Sequence, residues 1–170
     1  ALGNDSHGID VEGTPGVRIG TDGDGTADVA ERNVVSGNGG IGVLVNGAGA
    51  TDAVVAGNLV GTDVTGTQAV PNEGPGVHVQ LKREFVSGSY GVWIGEIPED
   101  DGSGPDPNVI SGNRGPGVWI EGFCAYEDLC FLAEGRMNVY GNRIGTDATG
   151  TQAVGNLGPG VLIDDGDRFM

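Results

Sequence analysis

Short apolar triplets with a free middle position recur along this chain, each introduced by glycine. They are Gly8-Ile9-Asp10-Val11, Gly16-Val17-Arg18-Ile19, Gly42-Val43-Leu44-Val45, Gly76-Val77-His78-Val79, Gly91-Val92-Trp93-Ile94, Gly117-Val118-Trp119-Ile120 and Gly160-Val161-Leu162-Ile163. The flanking residues are always Val or Ile, whereas the middle one is Asp, Arg, Leu, His or Trp. A period of two predicts a strand that buries its flanks and turns its centre outward. A second word, V-[VI]-[SA]-G-N, occupies Val34–Asn38, Val54–Asn58 and Val109–Asn113. It predicts a β-branched pair entering a corner, because Gly and Asn tolerate the left-handed backbone that corners need.

The words belong to a longer duplication. Residues 57–79 and 141–163 share 16 of 23 positions, and two more exchange Val for Ile. Residues 16–47 also align without a gap on 91–122, at an offset of 75 instead of 84. Close self-similarity is the mark of a solenoid, in which each coil solves the packing problem of its neighbour. The chain therefore reads as one domain over residues 1–170, built of two units at about 16–90 and 91–170 and forming a piece of a longer repeat protein. Strands with Gly/Asn corners and no helical crossovers predict an all-β, right-handed parallel β-helix, with asparagines at equivalent corners hydrogen-bonded in a ladder. Successive G-[VI]-x-[VI] words lie 8, 26, 34, 15, 26 and 43 residues apart. Spacings of 8 and 15 suit two strands within one turn, and 26 suits one coil plus a loop. Tyr126, Leu129, Cys130 and Ala133 have helical spacing ahead of Gly135, which predicts a short helix near 125–134.

Composition narrows the partners. The 35 glycines follow no G-X-Y period, which excludes collagen. The formal net charge of −16 argues against nucleic acid, since phosphate binding needs a basic footprint. No apolar run approaches the ~18 residues of a membrane helix, so membrane insertion is not expected. Cys124 and Cys130 lack metal-site spacing and read either as an extracellular disulfide or as two thiols.

The V-[VI]-S-G-N, I-G-T-D-x-T-G-T and G-P-G-V-x-[IV] words resemble the right-handed parallel β-helix repeats of large bacterial secreted or surface proteins, within the pectate-lyase-like superfamily. The resemblance covers nearly the whole chain except 123–137. It implies the fold and an extracellular or cell-surface setting. That superfamily spans lyases, hydrolases, adhesins and structural stalks, so the fold does not choose the activity.

Candidate chemistry is sparse. Asp22, Asp24 and Asp28 alternate with glycines like the start of a calcium loop, which makes Ca²⁺ the candidate cofactor. An acidic surface turn explains the same letters, and the twelfth position of an EF-hand is Asn33 instead of Glu. The twin loops Gly61–Thr67 and Gly145–Thr151 fit oxygen-rich turns capped by their own Asp and Thr. Outward Trp93, Trp119 and His78 form a candidate ligand surface on which a sugar ring stacks, unless neighbouring loops bury them. Lyase chemistry, as the resemblance implies it, pairs Ca²⁺ with basic residues, yet the single lysine is Lys82. Hydrolysis needs two carboxylates about 5–9.5 Å apart across one bond, whereas the adjacent Asp100-Asp101 and Asp164-Asp165 point to opposite faces of a strand. No catalytic residue is assigned. The expected function is a non-catalytic structural or adhesive module of an extracellular or cell-surface protein, with polysaccharide or other surface proteins as partners. Polysaccharide binding or processing is the alternative.

Overall fold

The structure is a computed structural model, and it describes residues 3–24, 26–47, 49–81, 91–95, 107–122 and 136–164. Three strands complete each turn of the chain. The first coil holds β1 (Ile9–Glu12), β2 (Arg18–Gly20) and β3 (Val34–Val35), with a one-turn helix α1 (Asp28–Glu31) before β3. The second holds β4 (Val43–Asn46), β5 (Ala53–Ala56) and β6 (Leu59–Val60). The third holds β7 (Val77–Leu81), β8 (Gly91–Gly95) and β9 (Val109–Ile110). The fourth holds β10 (Val118–Gly122), β11 (Arg136–Tyr140) and β12 (Arg143–Ile144), and β13 (Val161–Asp164) begins another turn.

Every third strand pairs in parallel. The first sheet runs β1-β4-β7-β10-β13, the second β2-β5-β8-β11 and the third β3-β6-β9-β12. This is a parallel β-helix of three-sided coils, each adding about 4.8 Å along the axis. Register shows the coil lengths directly: 34 residues from Ile9 to Val43 and again to Val77, then 41 to Val118 and 43 to Val161. The offset of 75 therefore spans coils of 34 and 41 residues, and the offset of 84 spans coils of 41 and 43, so the duplicated unit is two coils. The spacings of 8 and 15 do join two strands of one turn, β1 to β2 and β7 to β8. The spacing of 26 is corrected: it leads from the second sheet to the first sheet of the next coil, and is less than a full turn.

The alternation sets inside and outside. Val43, Val45, Val77, Val79, Val118 and Val55 are buried, whereas Leu44, Trp93 and Trp119 at middle positions keep partial exposure. Ile19, Val92, Ile94, Val60 and Ile110 from the other two sheets complete one dry column. Burying each such side chain contributes about 1.5–3 kcal/mol.

Two asparagine ladders hold the corners. Asn4, Asn38, Asn72, Asn113 and Asn156 form the first, each rung linked to the next by a side-chain amide bond of 2.7–3.0 Å. Asn33, Asn58, Asn108 and Asn142 form the second, at 2.8–3.1 Å. The same amides also donate to backbone carbonyls such as Val35, Val55 and Ile110, adding to the N–H bonds that Val35 O and Ile110 O accept from Gly61 and Gly145. The word V-[VI]-[SA]-G-N proves to serve both ladders, since Asn38 and Asn113 stand in the first and Asn58 in the second. The predicted helix near 125–134, Cys124 and Cys130 lie outside the described residues.

Candidate functional site

Three surface features carry the candidate residues. The first is the turn between β2 and α1. Asp22, Asp28 and Glu31 offer carboxylate oxygens that all lie within 4.8 Å of one another. Buried Thr21 organises them: its hydroxyl donates to Asp28 Oδ1 at 3.0 Å and accepts the Gly23 N–H at 3.0 Å. Asp22 N–H reaches Glu31 Oε2 at 3.1 Å. Asp24 does not lie in this group; its Oδ1 accepts the Thr26 N–H at 2.7 Å. Glu31 takes its place. Linear spacing along a calcium loop passes over Glu31, whereas one turn of helix entered through left-handed Ala27 (φ 63°) folds it back onto Asp22. Three hard carboxylate oxygens in this arrangement suit a divalent cation of the Ca²⁺ type.

The second feature is the pair of twin loops. Each is a small antiparallel excursion, bridged Thr62 to Ala69 and Thr146 to Ala153. Asp63 Oδ1 accepts the Thr67 and Gln68 N–H groups at 3.0 and 3.2 Å and the Thr65 hydroxyl at 2.9 Å, and Asp147 repeats this with Thr151, Gln152 and Thr149. The short-cornered coil beneath each loop secures its base. Ser36 Oγ donates to Thr62 O and accepts Gly61 N–H, and Ser111 does the same for Thr146 and Gly145. Ala148 N–H donates to Gly66 O at 2.9 Å, so the loops touch across the intervening coil. These oxygens are occupied by the turn itself.

The Thr67 N–H, ahead of the other contacts, holds the Asp63 carboxyl below its ordinary value of 3.8. For Asp147, burial presses upward, but the Thr149 hydroxyl and the Gln152 and Thr151 N–H groups together outweigh it. A carboxyl lowered by folding stabilises the native state fully above its unfolded value and loses that contribution as pH falls through the lower native one. The double substitution Asp63→Asn/Asp147→Asn should therefore lower the melting temperature by a few degrees at pH 7. That gap should shrink at pH values well below 3.8. A gap unchanged down to pH 2, measured by circular dichroism, removes the charged turn as its source.

The third feature comprises the outward aromatics, and the structure does not bring them all together. Trp93 lies on the second sheet, in register with Val54 and Asn138. Trp119 and His78 lie on the first, in register with each other. The two indoles therefore form no common platform. Trp119 stacks on His78 instead, with ring centroids 4.2 Å apart and planes 4° from parallel. Glu121 Oε2 stands 3.1 Å from His78 Nε2 and accepts the Gln80 amide at 2.8 Å. His78 is only 6% exposed, and this burial lowers its pKa against the opposing pull of Glu121. The sequence marks all three rings as outward but not their sheets, because one word occurs in two columns. Comparison of the chain with protein-family models, curated proteins and solved structures gives no match to any of them.

Proposed function

We propose that this chain is a non-catalytic, rigid β-helix module of an extracellular or cell-surface protein, one that displays its loops at fixed axial spacing for structural or adhesive contacts. Two continuous asparagine ladders carry this reading, since they tie each described coil to its neighbours at the corners. The serine-anchored twin loops, two coils apart, are the surfaces so displayed. Surface proteins are the partners that suit such a ridge. Its words fit the secreted and surface β-helix repeats of the pectate-lyase-like superfamily, and the acidic composition suits a calcium-containing medium. Ca²⁺ held by Asp22, Asp28 and Glu31 would pin the turn before β3.

Polysaccharide binding is the second reading, with Trp93 on the second sheet and Trp119 over His78 on the first as separate contacts instead of one platform. The half-exposed Trp93 ring lies over Gly91 of its own strand, beside Asn138. One set of measurements separates the readings: thermal melting with calcium and then chelator, and glycan-array and turnover assays on anionic polysaccharides. The expected outcome is a melting shift of several degrees with calcium that Glu31→Gln abolishes, with neither saturable glycan binding nor turnover. Binding that Trp93→Ala or Trp119→Ala eliminates, or turnover of any of the polysaccharides, overturns the display reading. An unchanged melting temperature removes the cation.

A further inference from the structure

The coils meet through a column of glycines that ends at β13. A Cβ on Gly8, Gly42, Gly76 or Gly117 would lie 2.5–2.7 Å from the carbonyl oxygen of Gly42, Gly76, Gly117 or Gly160 in turn, so each coil presses its backbone onto the next. At Gly160 the same Cβ meets only Ile144 Cγ2, at 3.5 Å. The twin loops repeat the contrast. A Cβ on Gly61 would lie 2.3 Å from Ser111 O and Asn113 Oδ1 of the following coil, whereas Gly145, with φ 80°, meets nothing within 4 Å. Glycines placed for close approach persist where no described backbone approaches.

Hydrogen-bond donors end at the same face. Gly8, Gly42, Gly76 and Gly117 each give N–H to a carbonyl of the next coil, and Gly160 N–H has no acceptor among the described residues. Both ladders donate forward: Asn4, Asn38 and Asn113 give backbone N–H to the next Oδ1, as do Asn33 and Asn58. Asn156 keeps its bond to Ile110 O, and Asn142 its bonds to Ile94 O and Tyr140 O, but neither donates to a further rung. Val161 and Ile163 are 42% and 74% exposed, although they stand in register with buried Val118 and Ile120. An apolar, unpaired strand edge of this kind is a template for another strand.

We propose that the face running from Asn142 through β13 docks one further parallel coil, which continues from β13 in the same direction and carries asparagine at both corners. The same interface already joins each of the four coils to the next. The second and third sides of the added coil lie against Asn142 and Gly145. Its return brings a corner asparagine oxygen to Asn156, a carbonyl to Gly160 and apolar side chains over Val161 and Ile163. A second copy of the chain does not fit. The opposite end of the column is covered, with Val11 and Ile19 of the first coil 7% and 6% exposed. Two copies meeting at this face set donors against donors, and a net charge of −16 on each opposes the approach. The inference rests on the coil geometry and not on the display reading.

Amide exchange in the 170-residue chain is the first test. The Asn156 and Gly160 N–H groups should exchange about 100-fold faster than those of Asn113 and Gly117. Equal protection shows a face already closed and overturns the proposal. Extension is the second test. Ile163 occupies the position of Val79 in the duplication, so a copy of residues 80–163 placed after Ile163 continues the coils in phase. The extended chain should melt about 5 °C higher or more, and should slow Asn156 and Gly160 exchange to the level of Asn113 and Gly117. Gly160→Ala should shift the melting temperature of the unextended chain by less than about 1 °C and lower that of the extended chain by about 5 °C. Exchange that stays fast, an unraised melting temperature, or the same Gly160→Ala cost in both chains overturns the proposal. An extended chain that does not fold overturns it as well, because the added coils differ from the native ones only in position. In sedimentation the unextended chain should run as a monomer. A dimer that Ile163→Asp dissociates assigns the face to a second copy and overturns the added coil.

Discussion

Asn58→Leu is expected to destabilise the protein by about 4 kcal/mol, which for a chain of this size lowers the melting temperature by roughly 10 °C. Asn58 is completely buried. Its amide donates to Ile19 O at 2.9 Å, Ala56 O at 3.0 Å and Asn108 Oδ1 at 3.1 Å. Its own Oδ1 accepts the backbone and side-chain N–H groups of Asn33. Leucine matches the volume and supplies none of these bonds, so several polar groups inside a fully buried corner lose their partner at once. Asn142→Leu at the last described rung of the same ladder gives the comparison. Asn142 is only half-buried and bonds Ile94 O, Tyr140 O and Asn108, so water replaces part of what is lost. Its cost should be about half that of Asn58. Denaturant midpoints for the two variants decide the matter, and equal costs would show that the ladder stabilises each coil alone and not through its neighbours.

Gly20→Ala is the second large effect, expected at about 3–5 kcal/mol from overpacking plus backbone strain. Gly20 has φ 100°, and a Cβ there would lie 1.9 Å from Ala56 O and 2.7 Å from both polar atoms of the Asn58 side chain. Neither neighbour can withdraw, because Ala56 O already accepts Thr21 N–H and Asn58 Nδ2. Gly95 repeats the geometry two coils on, with φ 101° and Tyr140 O at 1.8 Å. Gly13 separates the two components. Its φ is 58°, yet a Cβ there meets nothing within 4 Å. Gly13→Ala should therefore cost only the left-handed penalty of about 1–2 kcal/mol. If calorimetry gives the two substitutions the same cost, close approach between coils is not what requires glycine at Gly20.

The alternation of Val and Ile around a free middle residue separated inside from outside in most strands, but His78 at a middle position is covered and Val161 and Ile163 of β13 are exposed. Val43 and Val45 are fully buried around half-exposed Leu44, as a period of two demands. The duplication was enough to give stacking, and the corner asparagines were enough to suggest a ladder. The ligand-bearing faces were less legible. Trp93 and Trp119 occupy the same position in the same word, yet one stands on the second sheet and the other on the first. Asp24 has the better linear spacing for a cation, yet it closes its own turn while Glu31 returns from α1. That helix was not foreseen either. It is one turn long, and four residues offer too little periodicity to be read.

Local backbone chemistry is written in adjacent residues, so the sequence by itself determined the strands, the corners, the dry interior and the repetition of coils. Membership of a sheet depends on how many residues each corner consumes, and the corners here range from the two residues between β5 and β6 to the long excursion that carries Asp63. Loop length shifts a column without changing the word that follows it. Only the closed coils therefore decided which side chains meet: His78 under Trp119, Glu31 beside Asp22, and one twin loop against the other. The first and last of these contacts join residues far apart along the chain and depend on the summed path between them, whereas Glu31 reaches Asp22, nine residues away, through the one turn of α1.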